Sequence, residues 1–217
     1  VAKPGYLNVR RTVLDEPLDD FFFDQSYRHV LGATRPKSSG QGTAQVVNLD
    51  IRKKIADLPI AGMPHLGSGI TWKWEGTTVL ASPNLKGNAI DVIDMQNWRL
   101  LKSIPVPGPG FFMRSHENTP YAWTDSMMSQ SAKDTLTIID KSTLTPVASV
   151  KEPGKTLAHI EFTKDGRFAL ASVWEMDGAL IVYDAKTFRE IKRLPMSKPV
   201  GKYNVWNKIT RSEGTSH

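Results

Sequence analysis

Short apolar runs, each closed by an aspartate, recur along this chain. They are Val46-Val47-Asn48-Leu49-Asp50, Ile90-Asp91-Val92-Ile93-Asp94, Leu136-Thr137-Ile138-Ile139-Asp140 and Leu180-Ile181-Val182-Tyr183-Asp184. The aspartates stand 44, 46 and 44 residues apart. A turn and a second strand-like run follow each one (54–60, 100–106, 146–150, 190–196), and a third run precedes it (29–33, 78–82, 120–124, 168–172). A fourth is clearest in His159-Ile160-Glu161-Phe162, ahead of the turn Lys164-Asp165-Gly166-Arg167. Four short strands per period of 44–46 residues is the signature of a propeller blade. Long windows with apolar residues at spacings of three and four are absent, so helix content is expected near nil.

The pattern predicts an all-β fold: a β-propeller of about four four-stranded blades, at 18–60, 61–106, 107–152 and 153–198, with a closing strand at 202–207. Gly/Pro junctions such as Pro105-Val106-Pro107-Gly108-Pro109-Gly110 and Glu152-Pro153-Gly154 separate the blades. Gly166 is expected to supply a positive φ in its hairpin. Each closing Asp is expected to accept backbone amides of the following turn, a structural role. Four blades form either the smallest propeller class or half of a larger ring. A half-ring leaves two open edges, which a missing half or a second copy of the chain would cover.

Composition narrows the function. Hydrophobic residues make up 40% and charged residues 23%, ordinary for a globular protein. No apolar run reaches the ~20 residues that cross a bilayer. The first five residues lack a leader's charged-then-apolar pattern, so the chain reads as a mature protein or as a fragment of a longer one. Net charge is +6, but the bases are scattered, which argues against nucleic acid. The chain has no cysteine, so disulfides, thiolate metal sites and covalent c-type haem are excluded within it. Nucleotide-binding glycine motifs, a nucleophile elbow and clustered carboxylates are also missing.

Several segments resemble the heme d1 domain of the cytochrome cd1 nitrite reductase and dihydro-heme d1 dehydrogenase family. They are Met63-Pro64-His65-Leu66-Gly67-Ser68-Gly69, Phe111-Phe112-Met113-Arg114-Ser115-His116, Ala171-Ser172-Val173-Trp174 and the ending Pro199-Val200-Gly201-Lys202-Tyr203-Asn204-Val205-Trp206-Asn207. The resemblance covers nearly the whole chain and implies the C-terminal half of an eight-bladed propeller. The reductases place two histidines over the heme. Ser115-His116 matches one such segment, but Ser82-Pro83-Asn84-Leu85, where the other falls, has no histidine. This departure favours the dehydrogenase branch, which acts in heme d1 biosynthesis.

The resemblance implies heme d1 or dihydro-heme d1 as ligand, haem c only in a separate domain or electron-transfer protein, a periplasmic location, and an oxidoreductase parent in denitrification. This segment alone is not expected to turn over. It implies His116 as iron ligand and, with His159, as catalytic residue. His65, Arg114, His116, Trp174 and Lys202 are the expected cofactor contacts, Arg114 and Lys202 as partners for the heme carboxylates. From the residues alone, hydrogen-bonded wall histidines, solvated cations and inter-blade tryptophans are alternatives for each. A nitrite reductase fragment and a non-catalytic interaction propeller are the other functional readings.

Overall fold

The structure is a computed structural model that describes residues 10–35, 42–199, 201–210 and 213–214. Val200, in the family-like ending, lies outside the described residues. Sixteen strands form four antiparallel sheets of four, each in simple chain order. The first blade holds β1 (Asp20–Phe23), β2 (His29–Thr34), β3 (Thr43–Asn48) and β4 (Lys53–Leu58). The second holds β5 (Ile70–Trp74), β6 (Thr77–Pro83), β7 (Ala89–Asp94) and β8 (Arg99–Pro105). The third holds β9 (Met113–Arg114), β10 (Tyr121–Asp125), β11 (Thr135–Asp140) and β12 (Thr145–Lys151). The fourth holds β13 (Leu157–Phe162), β14 (Phe168–Val173), β15 (Ala179–Asp184) and β16 (Glu190–Pro195).

The closing aspartates behave as polar turn residues. Asp94, Asp140 and Asp184 each accept the amides two and three residues onward, at 2.7–3.2 Å. In the first blade the repeat is shifted. Asn48, not Asp50, occupies this place, accepting from the amides of Asp50 and Ile51, while Asp50 pairs with Arg28 on the surface. The structural repeat therefore begins two residues earlier than the run of aspartates suggests. Four residues after each of these turn-makers stands a non-glycine residue with positive φ: Arg52, Trp98, Leu144 and Phe188. Trp98, Leu144 and Phe188 pack their side chains into the interfaces between blades, which offsets the unfavourable backbone. Gly166 has φ +72° in the hairpin where a glycine was expected.

The core lies between blades. One cluster joins the first and second blades (Leu31, Val46, Leu58 with Leu66, Leu80, Ile93). The next joins the second and third (Ile70, Val79, Val92 with Met113, Ile139, Leu144). The last joins the third and fourth (Trp123, Ile138 with Phe162, Ile181). Each such side chain contributes about 1.5–3 kcal/mol on burial, so the order of the blades is held by these contacts. Among the described residues no cluster joins the fourth blade to the first, and the first blade leaves Phe21 and Tyr27 more than half exposed.

The ending departs from the predicted closing strand at 202–207. Gly201–Asn204 is irregular and leads into a short helix, α1 (Val205–Ile209). Asn204 is the reason: its side-chain oxygen caps the helix by accepting from the Asn207 amide at 3.2 Å. Its side-chain amide meanwhile donates to the Phe162 carbonyl at 2.9 Å, meeting β13 through a side chain instead of a strand ladder. Farther on, Gly214 donates to Thr71 and accepts from Ser115, tying the ending to the second and third blades.

Candidate functional site

Inner strands begin at the Gly/Pro junctions, and three junctions deliver aromatic rings to one place. His65 precedes β5, Phe111 and Phe112 precede β9, His159 lies in β13, and Tyr203 comes from the ending. Their rings form a continuous row. Centroids are 4.0 Å apart for His65–Phe111, 4.8 Å for Phe111–Phe112, 4.4 Å for Phe112–His159 and 5.2 Å for His159–Tyr203. Rings at these separations pack as edge-on or tilted pairs.

The two imidazoles in the row are held in different protonation patterns. The Nδ1 of His65 lies 2.7 Å from the Phe111 carbonyl, which only accepts, so Nδ1 carries the proton. The His65 Nε2 lies 3.8 Å from the Asp20 carboxylate. The Nδ1 of His159 accepts from the Lys202 backbone amide at 3.3 Å, so its proton is on Nε2. That Nε2 is buried and has no hydrogen-bond partner. Burial, then the charges of Lys202 and Arg114, push the His159 pKa down to about 3, so its ring is neutral. His159 has φ +53° and sits where the register of β13 against β14 breaks between Ala158 and Glu161. A Cβ on Gly201 would stand 3.1 Å from its Nε2, a tight contact at the close approach of the ending.

Buried charges surround His159. Lys202 Nζ donates to the His159 carbonyl and, at 2.9 Å, to Ser172. Burial brings its pKa down to about 7, with Glu161 and Asp125 acting upward and Arg114 downward. Arg114 donates to the Met113 carbonyl at 2.6 Å and faces Glu161 at 3.9 Å. Burial lowers its pKa. Asp125 is wholly buried, and burial pushes its carboxyl up to about 6 against the pull of four backbone amides.

The residues predicted from sequence are thus divided. His65 and His159 meet in the row. Arg114 and Lys202 stand behind His159, engaged with protein groups. Trp174, just after β14, donates its amide to Thr156 and is not part of the row, and its indole Nε1 is buried without a partner. His116 lies elsewhere: β9 ends at Arg114, so His116 falls in the turn beyond it. Its Nδ1 accepts from the Asn118 amide at 3.1 Å and its Nε2 donates to the Lys164 carbonyl at 3.2 Å, leaving no lone pair for iron. In this structure both ring nitrogens of His116 are thus held by protein groups. Phe111, Phe112, Asp125 and Tyr203 are the additions. The signal for Asp125 was a carboxylate where the sister blades carry Pro83 and Ser172.

An iron tetrapyrrole fits this arrangement on two observations: His65 offers an imidazole whose Nδ1–H is anchored on a backbone carbonyl, the anchoring found in ligating histidines, and His159 offers an orphaned N–H. Among the described residues no group of three or more His, Asp or Glu could cage a bare metal ion. The cytochrome D1 heme domain profile matches residues 5–208. The chain belongs to that family. It is 52% identical over 209 residues to dihydro-heme d1 dehydrogenase of Pseudomonas aeruginosa, covering 96% of this chain and 41% of that protein. The solved structure of dihydro-heme d1 dehydrogenase NirN in complex with DHE superposes with a TM-score of 0.85 at 51% identity, over 92% of this chain and 42% of that one. The chain thus spans about two fifths of the relatives it matches. The β-propeller domain of Myceliophteria thermophila Cps50 (Swd1) matches at TM-score 0.65 and 16% identity, over 89% of this chain and 59% of that one, which speaks for the propeller fold alone. Among the described residues no helix is long and apolar enough to cross a membrane.

Proposed function

We propose that this segment forms one half of the pocket wall for heme d1 or dihydro-heme d1, in a periplasmic oxidoreductase of the dehydrogenase branch. The observation that carries the reading is the row from His65 to Tyr203, in which two blades supply imidazoles with opposite tautomers. The bound tetrapyrrole supplies the redox-active macrocycle and iron. His65 would hold the iron through its Nε2. His159, neutral and protonated at Nε2, is a hydrogen-bond donor that orients a polar edge of the ligand. Phe111, Phe112 and Tyr203 give an apolar wall of tilted rings beside the two imidazoles.

Forming a carbon–carbon double bond by dehydrogenation releases two electrons and two protons. The electrons pass to a haem c domain or a separate electron-transfer protein. Near neutral pH Lys202, at about 7, suits proton exchange, whereas His159 at about 3 does not. The remaining wall comes from the missing propeller half or a second copy, for which the exposed Phe21 and Phe23 face is the support. The nitrite reductase reading is weakened by the segment Ser82-Pro83-Asn84-Leu85, which has no histidine and in which Asn84 is bound to Ala61, Asp91 and Met63.

A visible-absorbance titration with heme d1 tests the proposal. Saturable shifts are expected in the wild type and should be lost in the double variant H65A/H159A. No shift in the wild type, or equal shifts in both, would overturn it.

A further inference from the structure

Asp125 ends β10 with its side chain wholly buried. Its partners are backbone N–H groups rather than a cation. Phe111 donates to it at 2.8 Å, Phe112 at 3.2 Å, and His159 and Met127 at 3.4 Å each. Three of these donors are members of the aromatic row. The peptide that follows is the link to the fourth: the Phe111 carbonyl accepts the Nδ1–H of His65. One carboxylate therefore connects an imidazole from the second blade and another from the fourth, although Asp125 itself belongs to the third.

Blade architecture does not call for a carboxylate here. Asp125 faces Leu136 across its sheet, just as Ser172 faces Leu180 and Pro83 faces Ile90. Those blades form the same four strands with a hydroxyl or an imino acid in this place. Burying a carboxylate is costly unless several donors meet it, and here the donors are the very amides that set the ring row. Gly110 reinforces the arrangement, since any Cβ there would collide with the Asp125 carbonyl.

We infer that Asp125 is the positioning residue of the site, fixing His65 through the Phe111 peptide and His159 through its own amide. The geometric part stands by itself, and its functional consequence rests on the tetrapyrrole reading above. The charged and titratable groups facing Asp125 are Arg114 from β9, His159 from β13 and Lys202 from the ending, with Glu161 facing Arg114 and Lys202 in turn. Protonating the carboxyl removes an acceptor from amides that have no other partner close by. The row should then loosen as a unit.

The test uses the chain labelled with 15N-histidine, wild type and Asp125→Asn, which keeps the volume but replaces one acceptor oxygen with a donor. Long-range 1H–15N correlations report the tautomer of each ring. In the wild type the proton is expected on Nδ1 of His65 and Nε2 of His159. In D125N both patterns should change together, with His29 and His116 unmoved, and heme d1 affinity should fall tenfold or more. Unchanged His65 and His159 in folded D125N would overturn the inference, as would equal changes at all four rings, the mark of general disruption. Should D125N not fold, a wild-type titration decides. The Phe111, Phe112 and His159 amide protons should shift with a shared midpoint near the Asp125 value of about 6, and separate midpoints or no shift would contradict it. Should these responses hold while the wild type binds no heme d1, the tetrapyrrole reading fails and the positioning role stands.

Discussion

Truncating His116 to alanine separates a structural histidine from a ligand. The ring is 1% exposed and wedged against the hairpin of the fourth blade, where it touches Gly166. It accepts from the Asn118 amide and donates to the Lys164 carbonyl, so His116→Ala removes two hydrogen bonds. Each contributes about 1 kcal/mol net. Losing the buried ring and leaving a cavity adds on the order of 1 kcal/mol. The sum, about 3 kcal/mol, lowers Tm by roughly 6–12 °C for a chain of this size. A urea melt followed by tryptophan fluorescence measures the first quantity, and a thermal melt the second. The heme d1 titration of the folded variant should match the wild type, because the ring is not in the row. A variant as stable as the wild type that no longer binds heme d1 would refute the reasoning, for it would place His116 at the ligand.

Three further predictions concern the charges and the open edge. The folded pKa of Lys202, about 7, lies below its usual 10.5, so the folded chain binds fewer protons between these values and gains stability as pH rises through them. Denaturant melts from pH 7 to 9 should show this rise, at most about 1.4 kcal/mol per pH unit, and Lys202→Met should flatten it. His159 and Asp125 oppose each other between about pH 4 and 6. The depressed His159 value makes stability fall on acidification, whereas the raised Asp125 value makes it increase. His159→Phe should therefore leave the Asp125 contribution alone and make the chain less acid-sensitive than the wild type across that window, and an unchanged or steeper acid loss would count against these assignments. Replacing Phe21 and Phe23 with serine should reduce self-association in sedimentation velocity at high concentration, since the pair lies on the uncovered face of the first blade. An identical sedimentation profile would remove that face from the interface.

The blade repeat was legible because strand alternation and turn chemistry are local. The turns at Asp94, Asp140 and Asp184 and the hairpin at Gly166 depend only on residues a few positions away. The first blade was misaligned by two residues because Asn48 and Asp50 are chemically alike and close together, and only the pairing of His29 with Asn48 distinguishes them. The ending alternates apolar and polar residues as a strand would, yet Asn204 caps a helix there. His116 lies beyond the inner strand of its blade because β9 is only two residues long. His159 was visible because β13 is long enough to carry it. Its positive backbone φ and its tautomer were not, since the one lies at a register break with β14 and the other is set by the amide of Lys202, 43 residues away. The role of Asp125 was hidden for the same reason: its partners lie across a junction and across a blade boundary.

The most direct measurement is pulsed electron paramagnetic resonance of ferric heme d1 bound to 15N-histidine-labelled chain. The geometry predicts a strong imidazole 15N coupling to the iron that persists in His116→Ala and disappears in His65→Ala. A coupling retained in His65→Ala, or lost in folded His116→Ala, would contradict the placement of the tetrapyrrole against the row that begins at His65.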